Sequence, residues 1–331
     1  MDTTTTYLGF QLPHPFIAGA SPMADSLDGA RRLEDAGVAA IVLRSLFEEQ
    51  IQSEALATHR AIDSHADSSA EASSYFANPA DFVVGPGEYL EHIRRIKQSV
   101  KIPVIASLNG FTRGGWLDYA TSIQQAGADA LELNIYHVAT ESAEPAEGIE
   151  IRTVEMVRSV KGLLRIPVAV KLSPFYTALP HLARHLEGAG ADALVLFNRF
   201  FESDIDIEEL SVVSHMRLSD SNELLLRLRW LAILSGRLGK ASLAVTGGVH
   251  TSSDAIKAVM CGASAVQLVS SLLTEGPGHA RKLLAGMVSW MEEKEYASIA
   301  QMRGSMNILR SPNPREYGRG NYMRILQTWE G

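Results

Sequence analysis

Lys171 is the residue most out of place in this chain. It lies in Val168-Ala169-Val170-Lys171-Leu172, near the end of an otherwise apolar run of strand type. A buried lysine is costly unless it is paired. Its partner is either Glu132, in Leu131-Glu132-Leu133-Asn134, or negative charge on a ligand. Asn134 and Asn198 each close a similar run, and amides there can hydrogen-bond a planar heterocycle or cap a turn. His137 follows Asn134 closely and is the acid–base candidate, because imidazole titrates near neutral pH. An exposed loop histidine is the plainer alternative. Arg44 and Arg199 follow two further apolar runs, where each could grip a carboxylate with its planar fork or sit in an ordinary salt bridge. Gly247 and Gly248 end the run Leu243-Ala244-Val245-Thr246. Paired glycines let backbone approach a ligand closely, and exposed N–H groups in such a turn can hold an anion. On the two glycines alone, a plain tight turn is the simpler reading.

These residues need a scaffold, and the chain supplies it by repetition. Ala36-Gly37-Val38-Ala39 returns as Ala126-Gly127-Ala128-Asp129, as Ala189-Gly190-Ala191-Asp192 and as Cys261-Gly262-Ala263-Ser264, each followed by an apolar run. Glycine suits the position just past a helix because it adopts the left-handed conformation without penalty. A second junction, Lys101-Ile102-Pro103, matches Arg165-Ile166-Pro167. Proline is tolerated at a strand's first residue and stops the helix before it. The junctions predict strands at Phe16–Gly19, Ala40–Leu43, Val104–Leu108, Leu131–Ile135, Val168–Leu172, Leu194–Phe197, Leu243–Thr246 and Val266–Val269. Helical patterns fill the gaps, with Ser252 and Ser253 as caps of the one that ends at Cys261. Eight alternating units predict an α/β fold, a TIM (β/α)8 barrel. The rival, an open doubly wound sheet, needs no such even spacing, and no dinucleotide fingerprint follows the first strand.

The whole chain of 331 residues is expected to be a single barrel domain. The barrel spans about 16–294, with an N-terminal hairpin at 7–15 closing its bottom and a C-terminal extension at 295–331. Long polar segments, Arg44–Phe82 and Phe200–Asp220, leave the C-terminal ends of strands, where barrel enzymes build their sites. The extension could cover the site or mediate a homodimer, and its composition does not decide between them. Hydrophobic residues make up 46% and charged residues 21%, an ordinary globular balance. The formal charge of −8 and the lack of a basic stripe argue against nucleic-acid binding. Cys261 is the only cysteine, which fits a reducing compartment. With neither a signal-type N-terminus nor a membrane-length apolar run, the protein is expected to be cytoplasmic. The ten histidines show no metal-ligand spacing, so no metal site is predicted.

Taken in order, Phe16-Ile17-Ala18-Gly19-Ala20-Ser21, Leu131-Glu132-Leu133-Asn134, Val170-Lys171-Leu172-Ser173-Pro174, Asn198 and Thr246-Gly247-Gly248-Val249 resemble the dihydroorotate dehydrogenase family of FMN-dependent enzymes of pyrimidine synthesis. The likeness covers roughly residues 7–300 and continues through Cys261-Gly262-Ala263 and Glu275-Gly276-Pro277. It implies an FMN site. Gly247, Gly248 and Ser270 would hold the phosphate; Lys171 would stand beside the flavin ring; Gly19, Ala20, Ser45, Asn134 and Asn198 would line the ring or ribityl chain. Asn134, Asn198, Arg44, Arg199 and Asn78 would face a small carboxylate substrate. The chain departs from the family's pattern at the substrate end. His137 stands where the family has a Cys or Ser base, and Ala139 stands at the motif's last asparagine. Arg44 replaces a lysine, and Arg217-Leu218-Ser219-Asp220-Ser221-Asn222 replaces a glycine-rich loop.

The leading expectation is an FMN-binding oxidoreductase with His137 as base and Lys171 beside the flavin. Two alternatives stand beside it: a flavin barrel that has lost dihydroorotate oxidation, and a barrel for another phosphorylated ligand.

Overall fold

Four glycines set the rhythm of the fold. Gly37, Gly127, Gly190 and Gly262 all have positive φ, between +82° and +124°. Each ends a helix and turns the chain into a barrel strand, as the repeated junction predicts. The structure, a computed structural model, describes residues 1–51, 85–110, 116–199, 202–214 and 216–328.

Strands β1 (Thr5–Tyr7) and β2 (Phe10–Leu12) form an antiparallel hairpin. It sits slightly N-terminal to the expected 7–15. Then β3 (Phe16–Ala18), β4 (Ile41–Phe47), β5 (Val104–Asn109), β6 (Ala130–Asn134), β7 (Val168–Leu172) and β8 (Ala193–Leu196) follow. A second hairpin, β9 (Ser203–Asp206) and β10 (Ser211–Ser214), precedes β11 (Ser242–Thr246) and β12 (Ala265–Leu268). The eight strands β3–β8, β11 and β12 close into one parallel barrel. The helices are α1 (Leu27–Asp35), α2 (Pro86–Ser99), α3 (Trp116–Gln125), α4 (Ala146–Leu163), α5 (Leu179–Gly188), α6 (Leu224–Ser235), α7 (Ser252–Cys261), α8 (Ser270–Glu275), α9 (His279–Glu293), α10 (Ile299–Met302) and α11 (Gly320–Thr328). Among the described residues, no helix is long and apolar enough to cross a membrane.

The sequence reading needs four corrections. Phe200–Asp220, given no strands in the sequence reading, holds the β9–β10 hairpin, in which Ile205 and Val212 pair across two short strands. The strand that begins near Ala40 continues to Phe47, and its pairing with β5 shifts between Val42 and Ser45. The last barrel strand stops at Leu268, and Ser270 opens α8. Thr251, not Ser252 or Ser253, caps α7: its side chain accepts from the Asp254 N–H, and Asp254 answers in a capping box.

Inside the ring, small side chains make room for the floor. Ala130, Ala169, Ala193, Ala244 and Ala265 are fully buried and pack with Tyr7, Leu8 and Leu12 of the hairpin. The strand period of two then puts Glu132, Lys171 and Gln267 on the same inner faces, one step nearer the C-terminal mouth.

The Ala-Gly-Ala-Asp copies carry a further device. The Asp129 carboxylate accepts from Lys97 Nζ at 2.6 Å and from the Val104 N–H at 2.7 Å. Asp192 repeats this with Lys161 Nζ and the Val168 N–H, both at 2.7 Å. Each aspartate staples a helix to the strand beside its own. Asp129→Ala is expected to lower the unfolding free energy by about 1–2 kcal/mol, the value of two charge-assisted bonds reduced by partial exposure. Urea denaturation reads this directly, and an unchanged midpoint removes Asp129 as a staple.

Candidate functional site

Three strands and one strand end bring a continuous polar chain across the mouth of the barrel. Ser45 Oγ lies 2.7 Å from Ser107 Oγ, and Asn134 Nδ2 donates to Ser45 Oγ at 3.5 Å. Asn198 Nδ2 donates to Asn134 Oδ1 at 2.7 Å. Ser45, Asn134 and Asn198, singled out separately in the sequence, therefore form one unit with Ser107. Tyr89 of α2 supports it from behind: its hydroxyl donates to the Ser107 carbonyl at 3.0 Å and accepts the Ser107 N–H at 2.9 Å. Burial raises the Tyr89 phenol well above its ordinary range, so it stays neutral.

Below this chain lies the ion pair. Lys171 Nζ is 3.3 Å from Glu132 Oε1, and both residues are buried. Gln267 Nε2 donates to Glu132 Oε2. The Tyr7 hydroxyl, carried up by the floor hairpin, faces Gln267 and Glu132; burial first, then the Glu132 charge, holds its phenol neutral. Lys171 pairs with Asn134 in the strand register, which sets it directly beside the polar chain.

The Gly247-Gly248 turn lies one strand beyond β8 in the ring. Both glycines have φ +80°. A Cβ on Gly248 would stand 2.5 Å from the Leu224 nitrogen, and one on Gly247 2.8 Å from Arg227 Nη2. The start of α6 thus rests directly on the turn, and only glycine allows that approach. The Gly248 N–H donates to Ser219 Oγ at 3.3 Å, and the Ser219 N–H to Ser270 Oγ at 3.0 Å. Ser219 Oγ also lies 3.3 Å from His250 Nε2. Next to Ser270, the hydroxyl of Ser271 is buried and has no hydrogen-bond partner. Turn N–H groups, the Ser219 and Ser270 hydroxyls and an imidazole lie together here, a set that can hold an anion.

Gly19 and Ala20 follow β3, where the Gly19 N–H donates to the Leu268 carbonyl at 2.9 Å. A Cβ at Gly19 would meet Val269 Cγ2 at 2.6 Å, so this edge of the mouth is also closely packed.

The substrate-end candidates are more scattered. Arg44 is bound to Asp25 at 3.0 Å, and Arg199 lies 3.6 Å from Glu223. Arg44 belongs to β4 and Arg199 follows β8, four strands apart in a ring of eight, so they do not converge as one clamp. Asn78 lies outside the described residues. Arg199 shares Glu223 with Arg227, whose buried Nε donates to the Thr246 carbonyl at 2.5 Å. Burial pulls the Arg227 guanidinium below its ordinary range; Glu223 opposes this and Arg199 adds to it. Asn198, Arg199, Glu223, Arg227 and Phe175 border an open cleft of about 820 Å3.

His137 follows β6 and is held by Glu144, whose Oε2 lies 3.0 Å from His137 Nε2. Arg152 binds the other oxygen of Glu144. Burial, and then the Arg152 charge, lower the His137 pKa from its ordinary value. A proton on Nε2, toward Glu144, puts the lone pair on Nδ1, the arrangement of an oriented general base.

Tyr7, Tyr89, Glu144, Ser219 and Arg227 were not read from the sequence as site residues. Arg227 alone gave a signal, as a single charge within Leu224-Leu225-Leu226-Arg227-Leu228.

A (β/α)8 barrel with a polar mouth is what the structure defines, and comparison with known proteins gives the family. The family model described as dihydroorotate dehydrogenase matches residues 83–291. The chain is 28% identical over 308 residues to the dihydroorotate dehydrogenase B (NAD(+)), catalytic subunit, of Thermoplasma acidophilum, covering 92% of this chain and 98% of that one. A protein of the same name from Methanosarcina acetivorans is 31% identical over 223 residues, 66% of this chain and 71% of its own. The chain belongs to the dihydroorotate dehydrogenase family, whose members are flavin-dependent oxidoreductases.

Gly248→Ala combines a left-handed backbone with a methyl group against the Leu224 nitrogen. It is expected to cost about 1–3 kcal/mol of stability. Thermal and urea unfolding measure this, and a wild-type melting curve would show that α6 does not rest on the turn.

Proposed function

We propose that the chain binds FMN across the mouth of the barrel and oxidises dihydroorotate or a closely related small carboxylate. One observation carries the reading: the hydrogen-bonded chain of Ser45, Asn134 and Asn198 lies beside the only inward lysine on the described barrel strands, Lys171. Gly247, Gly248, Ser219 and Ser270 would hold the phosphate, supported by the unpartnered Ser271 hydroxyl. Gly19 and Ala20 would back the ring. When bound, FMN supplies a two-electron acceptor for hydride from a substrate C–H bond. Lys171, fixed in place by Glu132, would offer positive charge to the bound ring. Asn134 and Asn198 orient the substrate amide and carboxylate groups, with Arg199 at the same side of the mouth. His137 accepts the second proton at Nδ1 while Glu144 holds the ring. The names of the relatives make NAD(+) the electron acceptor to test first.

A second reading, a flavin barrel that has lost dihydroorotate oxidation, is favoured by one observation. His137 replaces the family's Cys or Ser base, and its Nε2 is engaged by Glu144 rather than turned to a substrate.

The purified protein is expected to be yellow, or to become so with FMN. A colourless protein that does not take up FMN overturns both readings. Anaerobic dihydroorotate is expected to bleach the flavin; a flavin that stays oxidised leaves the second reading. His137→Ala should slow reduction by about 100-fold or more while leaving FMN bound. Because the neutral imidazole is the active form and its pKa is lowered, reduction should rise with pH through a value below the ordinary histidine range and stay level above it. A rate that does not change with pH removes His137 as the base.

A further inference from the structure

Arg227 stands in a core position. α6 buries Leu224, Arg227, Leu231 and Leu234, a stripe at helical spacing in which a cation sits among leucines. Arg229, on the next turn of chain, is exposed. A buried guanidinium is costly unless both its donors and its charge are met. Backbone meets two donors: Nε donates to the Thr246 carbonyl at 2.5 Å and Nη1 to the Glu223 carbonyl at 2.6 Å. Both acceptors border the Gly247-Gly248 turn. Thr246 directly precedes it, and a Cβ on Gly248 would lie 3.0 Å from the Glu223 carbonyl carbon.

The charge is met only in part. Among the described residues, the charged groups that bear on Arg227 are Glu223 and Arg199. Glu223 lies 3.6 Å from Arg227 Nη2 and 3.6 Å from Arg199 Nη2, so one carboxylate serves two guanidiniums. The three side chains together keep an excess of positive charge.

That excess lies against the turn. A Cβ on Gly247 would stand 2.8 Å from Arg227 Nη2 and 3.2 Å from both Cζ and Nε, so the flat guanidinium covers Gly247. The turn N–H groups and the Ser219 and Ser270 hydroxyls can orient an anion, but they carry no net charge. The chain as a whole has a formal charge of −8, which repels a dianion unless a local cation offsets it.

We propose that Arg227 is a specificity-determining residue: its excess charge, acting across the Gly247-Gly248 turn, makes the site select a phosphorylated flavin over the unphosphorylated one. This rests on the FMN binding proposed for the barrel mouth. Arg227 then has two separable tasks. Its Nε and Nη1 bonds hold the turn to α6, and its charge attracts the phosphate. Glu223 sets the strength of that attraction, because its carboxylate offsets both guanidiniums.

The experiment is titration of FMN and of riboflavin into the flavin-free full chain, followed by the quenching of flavin fluorescence. Arg227→Gln is expected to weaken FMN by about tenfold or more and riboflavin by less than about threefold, since riboflavin has no phosphate to lose contact with. Arg227→Lys keeps the charge without the fork and should restore most of the preference for FMN. Glu223→Gln should act in the opposite direction, tightening FMN and leaving riboflavin unchanged. Added salt should narrow the wild-type preference more than that of Arg227→Gln. A role in packing alone moves both flavins together, and that outcome overturns the proposal, as does a preference that neither Arg227→Gln nor Glu223→Gln alters. Should Arg227→Gln misfold, Glu223→Gln, a substitution at a half-buried position outside the barrel strands, carries the test. A wild type that binds neither flavin overturns the FMN reading itself. A wild type that binds both equally well keeps flavin binding and removes only the role of Arg227.

Discussion

The buried pair of Lys171 and Glu132 is the constraint around which the barrel interior is arranged. An ammonium group inside a ring of strands needs a carboxylate, and the carboxylate's second oxygen needs a donor. Glu132 meets the first need and Gln267 the second. Removing either charge from such a pair typically costs about 3–5 kcal/mol, because the remaining one is stranded. The column continues downward to Tyr7, which the N-terminal hairpin inserts among the lumen alanines. The hairpin floor thus stands directly beneath the ion pair. Lys171 is fixed from below, which leaves its upper side to the site.

Most of the barrel could be read from local chemistry. A glycine at positive φ after a helix is a requirement of the backbone itself, so the four junction glycines announce four strands in the sequence. The proline junctions do the same for β5 and β7. Elements held by tertiary contact were less legible. α8 begins where Val269 leaves the extended conformation, although its sequence continues an apolar strand pattern. The β9–β10 hairpin lies outside the core, with β9 mixing acidic and apolar residues and β10 reading Ser211-Val212-Val213-Ser214, so burial gives it no signature. Asp129 and Asp192 were visible as parts of a repeat, but their bonds to Lys97 and Lys161 depend on the neighbouring helix and could not be seen.

Within the site, position was legible and contact was not. Residues at the C-terminal ends of barrel strands face the mouth, so Ser45, Asn134, Lys171 and Asn198 could be found by their place in the pattern. Their linkage into one chain depends on the β4 register shift, which brings Ser45 opposite Ser107. Arg227 escaped because α6 inverts the usual pattern: it exposes Leu225 and Leu226 and buries a guanidinium. Apolar periodicity points such a helix the wrong way round. Glu144 and Arg152 lie well beyond β6 and meet His137 only because the chain after it doubles back into α4.

The two ends of the mouth are built from different materials. At the Gly247-Gly248 end, the geometry comes from backbone: positive φ, a helix start 2.5 Å from where a Cβ would be, and N–H groups aimed at hydroxyls. A substitution there disturbs packing. At the other end, His137 and Arg199 follow strands and Arg44 lies within β4, each with a carboxylate neighbour from another segment. Such side chains can be exchanged without moving the barrel. This division accounts for where the chain keeps its family's pattern and where it leaves it. The glycine turn and the lysine strand are constrained by the fold, whereas His137 and Arg199 lie outside the barrel strands and are held by side-chain partners alone.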